Sequence, residues 1–462
     1  MLEKEQLQQY LQKSLSTGAD FAEIYQEESD YQTIKLVDQK IQKINTSKRN
    51  GVGIRICQND QVVYGSTSKL ETIDSLIDRL ISNFKDKPTK IKIGLPEKKV
   101  YQDKIKIPHK EYPIEKKKLF LHQLDECARE QCNKINQVQA ILIEQDQKVI
   151  IANSNNQYVE DNRTLTRFST TIFVKEEEKL EKASIAPGFK KGYEFIEELD
   201  IKEMIKEVVN DAVEKLNAVD CPSGEMPVII GNGFGGVIFH EACVHALEAT
   251  TVAKGSSVFN DKIEKVIASP KVTIIDDGTL KNEWGSINVD DECAEGKKNI
   301  LIENGILKNY LIDYINSKVM NMPITSSGRR ENYQYAPTSR MTNTYLETGK
   351  DSIDDMIASV DYGLYAKNMG GGSVDPKTGD FNFSVSEAYL IKDGKISVPV
   401  KGASLIGNGA EIIKRISMVS SDLKLAAGLC GSTSGSIPVM VGQPTIKVDK
   451  ILVGGKGEKV NV

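Results

Sequence analysis

Apolar residues at helical spacing mark four segments in the first half of the chain. Residues 5–16, 72–84, 114–132 and 201–216 repeat them at intervals of three and four, as in Leu7, Leu11 and Leu15. Such a stripe is typical of a helix that packs one face on a core. Thr72 stands where the second helix would begin, as an N-cap residue does.

Strand-like runs separate these helices. They lie at 21–26, 31–43, 52–56, 137–144, 148–152 and 164–174, and Asn50-Gly51 is typical of a turn. Helices and strands in this order predict an N-terminal mixed α/β sandwich domain over residues 1–195. Residues 196–225 are predicted to form a connecting helix and a linker.

The pattern changes after residue 226. Short β-rich runs alternate with Gly, Asp and Asn turns at 271–275, 299–302, 306–312, 381–385, 388–391, 395–399, 437–441 and 445–453, and a helix is predicted at 408–420. Residues 226–462 therefore predict a β-rich C-terminal domain built from antiparallel sheets or a partly closed barrel. The predicted fold class of the whole chain is α+β.

Composition and charge narrow the functional classes. The net charge of −5 and pI near 5.7 argue against a nucleic-acid binder, which needs a basic surface. No apolar run approaches the roughly 20 residues that span a bilayer, and the N-terminus lacks the features of a signal peptide. Seven cysteines at irregular spacing predict free thiols, so we expect a cytoplasmic protein without membrane or nucleic-acid partners.

Residues 226–248 form a strand, a glycine turn and a helix in this prediction. Gly231, Gly233 and Gly236 match the dinucleotide fingerprint by letter. That fingerprint also requires an acidic residue about 20 positions further on, at the end of a second parallel strand. The next strand here ends only at Asp276 and Asp277, so the pattern favours a tight strand-to-helix turn over nucleotide binding.

The helix of this stretch carries two of the four histidines of the protein. In His240-Glu241-x-x-x-His245, imidazole nitrogens could hold a metal and the carboxylate could take a proton from a water molecule. Residues five apart point about 140° apart on a regular helix, at about 100° per residue. A shared ion therefore requires that the helix ends, bends or contains a π-type turn. Without such an interruption, these are two helix-face histidines without a metal.

A catalytic zinc site needs a third protein ligand and an open position. Cys430, in a glycine-rich run far along the chain, is the leading candidate. Cys243, Glu248 and Cys293 are competitors, and spacing does not choose among the four.

The run Ile238-Phe239-His240-Glu241-Ala242-Cys243-Val244-His245-Ala246-Leu247-Glu248 resembles the signature of TldD-type zinc metalloproteases of the TldD/PmbA family, also called modulator of DNA gyrase. Further motifs of that family follow its order over essentially the whole chain. They are Asn153-Ser154 before Asp161 and Arg163, Asp290-Asp291-Glu292 before Leu301-Ile302-Glu303-Asn304-Gly305, Gly328-Arg329-Arg330, Arg340-Met341-Thr342-Asn343-Thr344, Thr378-Gly379-Asp380-Phe381 and Val441-Gly442-Gln443-Pro444-Thr445.

The resemblance implies a zinc (Zn2+) peptidase whose metal is held by His240, His245 and Cys430. Glu241 is then the general base that activates the water on the metal. We expect hydrolysis of unfolded or extended peptide segments, with strand edges such as 370–372 and 378–381 as docking sites. The resemblance also implies a homodimer, or a heterodimer with a PmbA (TldE)-type subunit that lacks the metal motif. Arg329 and Arg330 are open between a grip on a substrate carboxylate and surface ion pairs.

One residue departs from the family pattern, which generally has Gly before the second histidine. Here that residue is Val244. If the position needs a positive φ, a β-branched side chain there is strained by a kcal/mol or more. The alternative function is therefore a non-catalytic or weakly active subunit of a TldD/PmbA-type assembly.

Overall fold

The computed structural model describes residues 1–59, 61–84, 92–375 and 378–460. Its fold class is α+β, as the sequence predicts. Within those residues, no helix is both long enough and apolar enough to cross a bilayer.

The first sheet has eight strands and four very long members. Its path runs β3-β2-β1-β5-β6-β4, and β7 and β8 also pair with β6. All neighbours are antiparallel except β4 and β6. The strands are β1 Phe21–Val37, β2 Lys40–Gln58, β3 Gln61–Thr67, β4 Lys99–Gln102, β5 Ile135–Asn153, β6 Gln157–Glu176, β7 Lys179–Ile185 and β8 Gly188–Phe189.

The predicted break at 27–30 and the predicted turn at Asn50-Gly51 are wrong. Both segments lie inside long strands, where Glu27 is opposite Gly51 and Glu28 is opposite Asn50 in the antiparallel pair of β1 and β2. A Cβ on Gly51 would lie 2.3 Å from the ring of Tyr333, so this glycine allows a close approach within a strand. The chain turns instead at Asp38 and Gln39, which both have positive φ, as a tight hairpin requires.

Helices cover one face of the first sheet in two separate cores. Leu7 and Leu11 pack with Ile77 in one core, whereas Phe120, Phe168 and the apolar face of the fifth helix form the other. The helices are α1 Lys4–Ser14, α2 Ile73–Ile81, α3 Ile114–Gln131, α4 Phe195–Glu198 and α5 Ile201–Leu216. The domain boundaries at 195 and 225 stay a prediction.

The rest of the chain forms two larger sheets and a short hairpin. One sheet runs β17-β10-β24-β20-β18-β19-β9, and β17 also pairs with β18, which closes five strands into a partly closed barrel. The other runs β13-β12-β11-β16-β23-β22. The strands are β9 Val219–Asp220, β10 Gly224–Ile230, β11 Ile274–Asp277, β12 Lys298–Glu303, β13 Ile306–Leu307, β14 Gly328–Arg329, β15 Thr338–Ser339, β16 Asn343–Leu346, β17 Tyr362–Val374, β18 Asp380–Lys392, β19 Lys395–Lys401, β20 Ser404–Asn408, β21 Ile416–Val419, β22 Lys424–Ser432, β23 Gly435–Gln443 and β24 Ile446–Gly454.

Short helices connect the strands of these sheets. They are α6 Val237–Ala242, α7 Ala249–Val252, α8 Tyr314–Met320, α9 Ile353–Ala358 and α10 Gly409–Ile412. The predicted helix at 408–420 is wrong beyond its first turn. Ile416 and Val419 have helical spacing with Ile412, but both belong to β21, which pairs with β24. Strand pairing here overrides the local pattern.

Candidate metal centre

The glycine turn between β10 and α6 is explained by close backbone packing. A Cβ on Gly231 would lie 2.1 Å from the carbonyl oxygen of Lys367, and one on Gly236 would lie 2.5 Å from the backbone of Gly442. Gly233 has a φ of +72°, which favours glycine. These three positions need glycine for the fold alone, which supports the prediction of a structural turn.

The histidine helix ends between its two histidines. α6 stops at Ala242, Cys243 has φ −123° and ψ −58°, and a 3₁₀ turn follows over Val244–Leu247. This interruption turns the His245 ring toward His240, so that the ring centroids lie 5.0 Å apart. The predicted requirement for a broken helix is met.

Val244 does not carry the strain that its β-branched side chain suggested. Among the described residues it is not one of those with positive φ. Its side chain is fully buried in the large C-terminal core. The expectation of a strained site at Val244 is therefore wrong, because this backbone position does not need glycine.

Cys430 joins the two histidines from β22, 185 residues beyond His245. Its Sγ lies 3.3 Å from His245 Nε2, and donor atoms of all three residues lie within 4.8 Å of one another. Tetrahedral zinc with ordinary bond lengths separates nitrogen and sulfur donors by about 3.5 Å. Two imidazoles and one thiol at these distances fit a zinc site that keeps its fourth position open.

Among the described residues, the three competing candidates do not belong to this donor group. Cys243 is buried in the apolar core, where burial raises the pKa of its thiol to about 12. Cys293 packs in a separate cluster with its Sγ 3.9 Å from the carbonyl oxygen of Ile151. Glu248 Oε1 lies 3.1 Å from His245 Nδ1, on the ring nitrogen that does not face Cys430. Glu248 therefore contacts one of the three predicted ligands and does not belong to the donor group itself.

The charges of the donor residues are strongly coupled. Burial by itself raises the pKa of the Cys430 thiol, but the facing imidazoles of His240 and His245 outweigh it and lower this pKa to about 3. Burial opposes protonation of His245, yet Glu248 and Cys430 hold the pKa of its imidazole well above the ordinary value. The thiol is thus stabilised as a thiolate, the form that binds metals.

Glu241 reaches the open side of this group. Its Oε2 lies 3.5 Å from His245 Nε2, the same nitrogen that faces Cys430. Its side chain is 28% exposed, whereas His240 is buried. A carboxylate at the solvent side of the donor set can exchange protons with a water molecule there.

Arg329 and Arg330 are not surface residues. Arg330 pairs with Glu23 of β1, and Arg329 donates to the carbonyl oxygens of Met341 and Pro438. Both arginines are buried and engaged within the protein. Neither a surface ion pair nor a grip on a substrate carboxylate therefore describes these two arginines, and both have a structural role.

Two residues near the site were missed as its partners by the sequence reasoning. The sequence offers Glu248 as a candidate ligand, but a carboxylate three residues after His245 is also a signal for a contact with its ring. Arg340 stands in one of the family motifs, and in the structure its guanidinium donates to the carbonyl oxygen of Cys430. The sequence carries no signal for that second contact.

Three family models together match most of the chain. The PmbA/TldA metallopeptidase C-terminal domain matches residues 223–455, the central domain of that family matches 107–216, and its domain 1 matches 22–84. The first of these contains all four predicted site residues.

Curated relatives carry consistent names. A metalloprotease TldD homolog of Buchnera aphidicola from Schizaphis graminum is 41% identical, covering 88% of this chain and 86% of its own length. One of Haemophilus influenzae is 44% identical, covering 74% and 72%. A zinc metalloprotease TldD homolog of Saccharolobus solfataricus is 25% identical, covering 96% and 99%.

Solved structures share the fold at low sequence identity. A protein of Thermotoga maritima described as a candidate modulator of a DNA gyrase aligns with a TM-score of 0.78 at 18% identity, over 98% of this chain and 100% of its own. TldE from Thermococcus kodakarensis aligns with a TM-score of 0.75 at 20% identity, over 98% and 99%.

Proposed function

The chain belongs to the PmbA/TldD family of metallopeptidases, and we propose that it hydrolyses peptide bonds with a zinc ion held by His240, His245 and Cys430. The observation that carries the proposal is the meeting of these three donors, drawn from an interrupted helix and a distant strand. The name of the Saccharolobus relative supports zinc as the metal.

The metal and the residues around it have separate roles in the proposed reaction. When bound, zinc supplies a Lewis acid that polarises the scissile carbonyl and lowers the pKa of a water molecule. Glu241 Oε2 accepts the proton from that water and returns it to the leaving amine. Glu248, at His245 Nδ1, fixes the orientation of the ring so that Nε2 faces the metal position.

The proposed substrate is an extended or unfolded segment that pairs with a strand edge. Of the two predicted edges, 378–381 leads into a strand paired on both sides, with β17 and β20. β22 carries Cys430 and lies at the end of its sheet in the described part of the chain. Leu429 beside Cys430 is 60% exposed. The carbonyl oxygens of Gly428 and Cys430 already accept hydrogen bonds from Trp284 and Arg340, so a peptide would pair with the end of β22 at residues 431–432. Such main-chain pairing would favour extended peptides with little side-chain selectivity.

The subunit arrangement and the cellular compartment are part of the proposal. We propose a dimer, either of two copies or with a PmbA (TldE)-type subunit, and a protein named TldE shares the fold of this chain. All seven cysteines are free thiols, which supports the cytoplasm as the compartment. Light scattering of the purified protein, with and without such a subunit, tests the stoichiometry.

The test of the central proposal pairs a metal measurement with a peptidase assay. We expect one zinc per chain in the wild type, and loss of both zinc and hydrolysis of an unfolded protein in Cys430→Ser. Cys243→Ser is the matched control, because that buried thiol lies outside the donor group. Zinc retained in Cys430→Ser at full activity would refute the ligand set.

The alternative of a non-catalytic assembly subunit rested on strain at Val244. Since the backbone there has no positive φ, that alternative loses its structural basis.

A further inference from the structure

One buried arginine ties together the end of β22 that carries Cys430. Arg340 is fully buried, and its guanidinium donates to the carbonyl oxygen of Cys430 and to that of Gly435 at 2.9 Å. It also donates to Ser434 Oγ at 2.8 Å. Because these residues lie on both sides of the turn between β22 and β23, the guanidinium holds the cysteine-bearing hairpin in one arrangement.

The same guanidinium also faces Glu248, the carboxylate that lies beside the His245 ring. Arg340 Nε lies 3.9 Å from Glu248 Oε1, which in turn lies 3.1 Å from His245 Nδ1. Among the described residues, Glu248 is the one carboxylate within 4.0 Å of this guanidinium. Neither Arg340 Nε nor Glu248 Oε1 makes a hydrogen bond within the described part of the chain, so Arg340 acts on Glu248 through its charge, which favours a carboxylate beside it in a buried place.

We propose that Arg340 and Glu248 act as an outer pair that positions Cys430 and His245 for the metal. This inference rests on the proposed function and deepens it, and it makes both members positioning residues. Glu248 fixes the ring nitrogen that stays free of the metal, and Arg340 fixes the backbone of the cysteine. Its positive charge also lies beside the buried carboxylate of Glu248.

The tests are two conservative variants, read out by metal binding. Arg340→Lys keeps the charge but loses the fork that reaches several acceptors at once. Glu248→Gln keeps the shape but loses the negative charge. We expect each to weaken zinc binding about 10- to 100-fold in competition with a chromophoric chelator. The thiolate-to-metal charge-transfer band of the Co2+-loaded protein should shift in both.

The double variant separates a shared role from two independent ones. If the two side chains act through each other, the loss in Arg340→Lys/Glu248→Gln is smaller than the product of the single losses. Arg329→Lys is the matched control. Arg329 is also buried and also donates to β23, at Pro438, but its hydrogen bonds go to the carbonyl oxygens of Met341 and Pro438 and not to Cys430 or Glu248. Its zinc affinity should stay within about twofold of wild type even if its melting temperature falls.

The outcomes distinguish the inference from the function on which it rests. Wild-type affinity and an unchanged cobalt spectrum in both single variants would overturn the outer pair and leave the zinc site standing. A wild-type protein that binds no zinc through Cys430 would overturn both. Should Arg340→Lys fail to fold, Glu248→Gln carries the same expectation alone, and wild-type binding in that variant overturns the inference.

Discussion

At the scale of single residues, Glu241 is the side chain whose proposed role separates chemistry from metal binding. Its carboxylate lies at the solvent side of the donor group and is not one of the three donors. Glu241→Gln removes the proton acceptor and leaves the ligands intact. We expect zinc content to stay at the wild-type level while kcat falls by about 10²- to 10⁴-fold, the usual contribution of a general base.

The measurement is zinc analysis and peptidase kinetics on the same preparation. Glu248→Gln is an informative contrast, since it should lower zinc affinity, whereas Glu241→Gln should not. Full activity in a zinc-loaded Glu241→Gln protein would rule out Glu241 as the base.

Val244 allows a second test at this scale. The family pattern suggested that glycine would relieve strain, whereas the structure shows a buried valine on an unstrained backbone. We therefore expect Val244→Gly to lower the free energy of unfolding by roughly 2–4 kcal/mol, from the lost apolar contact and the added freedom of glycine. Zinc affinity should not rise.

Thermal or urea unfolding checks the expectation, and Val244→Ala should show a smaller loss because it keeps Cβ. A Val244→Gly protein more stable than the wild type, or one that binds zinc more tightly, would restore the strain hypothesis.

At the scale of elements, the segments that the sequence predicted well are those with one buried face. The helix predicted at 201–216 is observed at Ile201–Leu216, because its apolar stripe packs on a single core. The long strands were cut short in the prediction because residues 27–30 are polar. Glu27 and Ser29 are nevertheless buried, and Glu27 accepts the backbone N–H of Tyr333 from the distant part of the chain. No local pattern contains such a partner.

The three donor residues were likewise predictable only in part from the sequence. The histidine spacing suggested a metal and required an interrupted helix, which the structure has. Cys430 was one of four possible third ligands by spacing, and the family resemblance singled it out. The contacts of Arg340 with the turn after Cys430 depend on how two strands and a loop pack, which spacing along the chain does not encode.

Gly51 and Gly371 provide a prediction about the long strands. Both lie inside strands, but a Cβ on Gly51 would meet the ring of Tyr333 at 2.3 Å, whereas one on Gly371 would meet nothing within 4 Å. We expect Gly51→Ala to destabilise the protein by about 1–3 kcal/mol, the usual cost of overpacking. Gly371→Ala should change the melting temperature little. Equal melting temperatures for the two variants would show that the Tyr333 contact is unimportant.

At the scale of the whole molecule, a buried network of charges joins the first sheet to the C-terminal domain. Arg55 of β2 lies 2.7 Å from Glu23 and 2.6 Å from Glu292, and Arg330 also pairs with Glu23. Arg163 of β6 lies 2.8 Å from Asp291. Burying so many charges is costly unless each is paired, so the network fixes how the two parts fit together.

The network holds more acidic than basic groups around Glu292, which predicts an effect of pH. Burial raises the pKa of Glu292 to about 7, despite the opposing effect of Arg55, and Asp313 and Glu23 add to the rise. The folded state therefore binds a proton between about pH 4.5 and pH 7 that the unfolded chain does not. The contribution of this group to stability is full below about pH 4.5 and is lost as pH rises toward 7.

Glu292→Gln isolates that contribution, because the amide resembles the protonated acid at every pH. We expect the variant and the wild type to have similar melting temperatures near pH 5, and the variant to become the more stable of the two above about pH 7. Differential scanning fluorimetry across this range measures the difference. Glu23→Gln is the contrast, because Glu23 pairs with two arginines and its loss should destabilise the protein throughout the range. A wild type that gains stability relative to Glu292→Gln as pH rises would show that the ion pair with Arg55 outweighs the cost of burial.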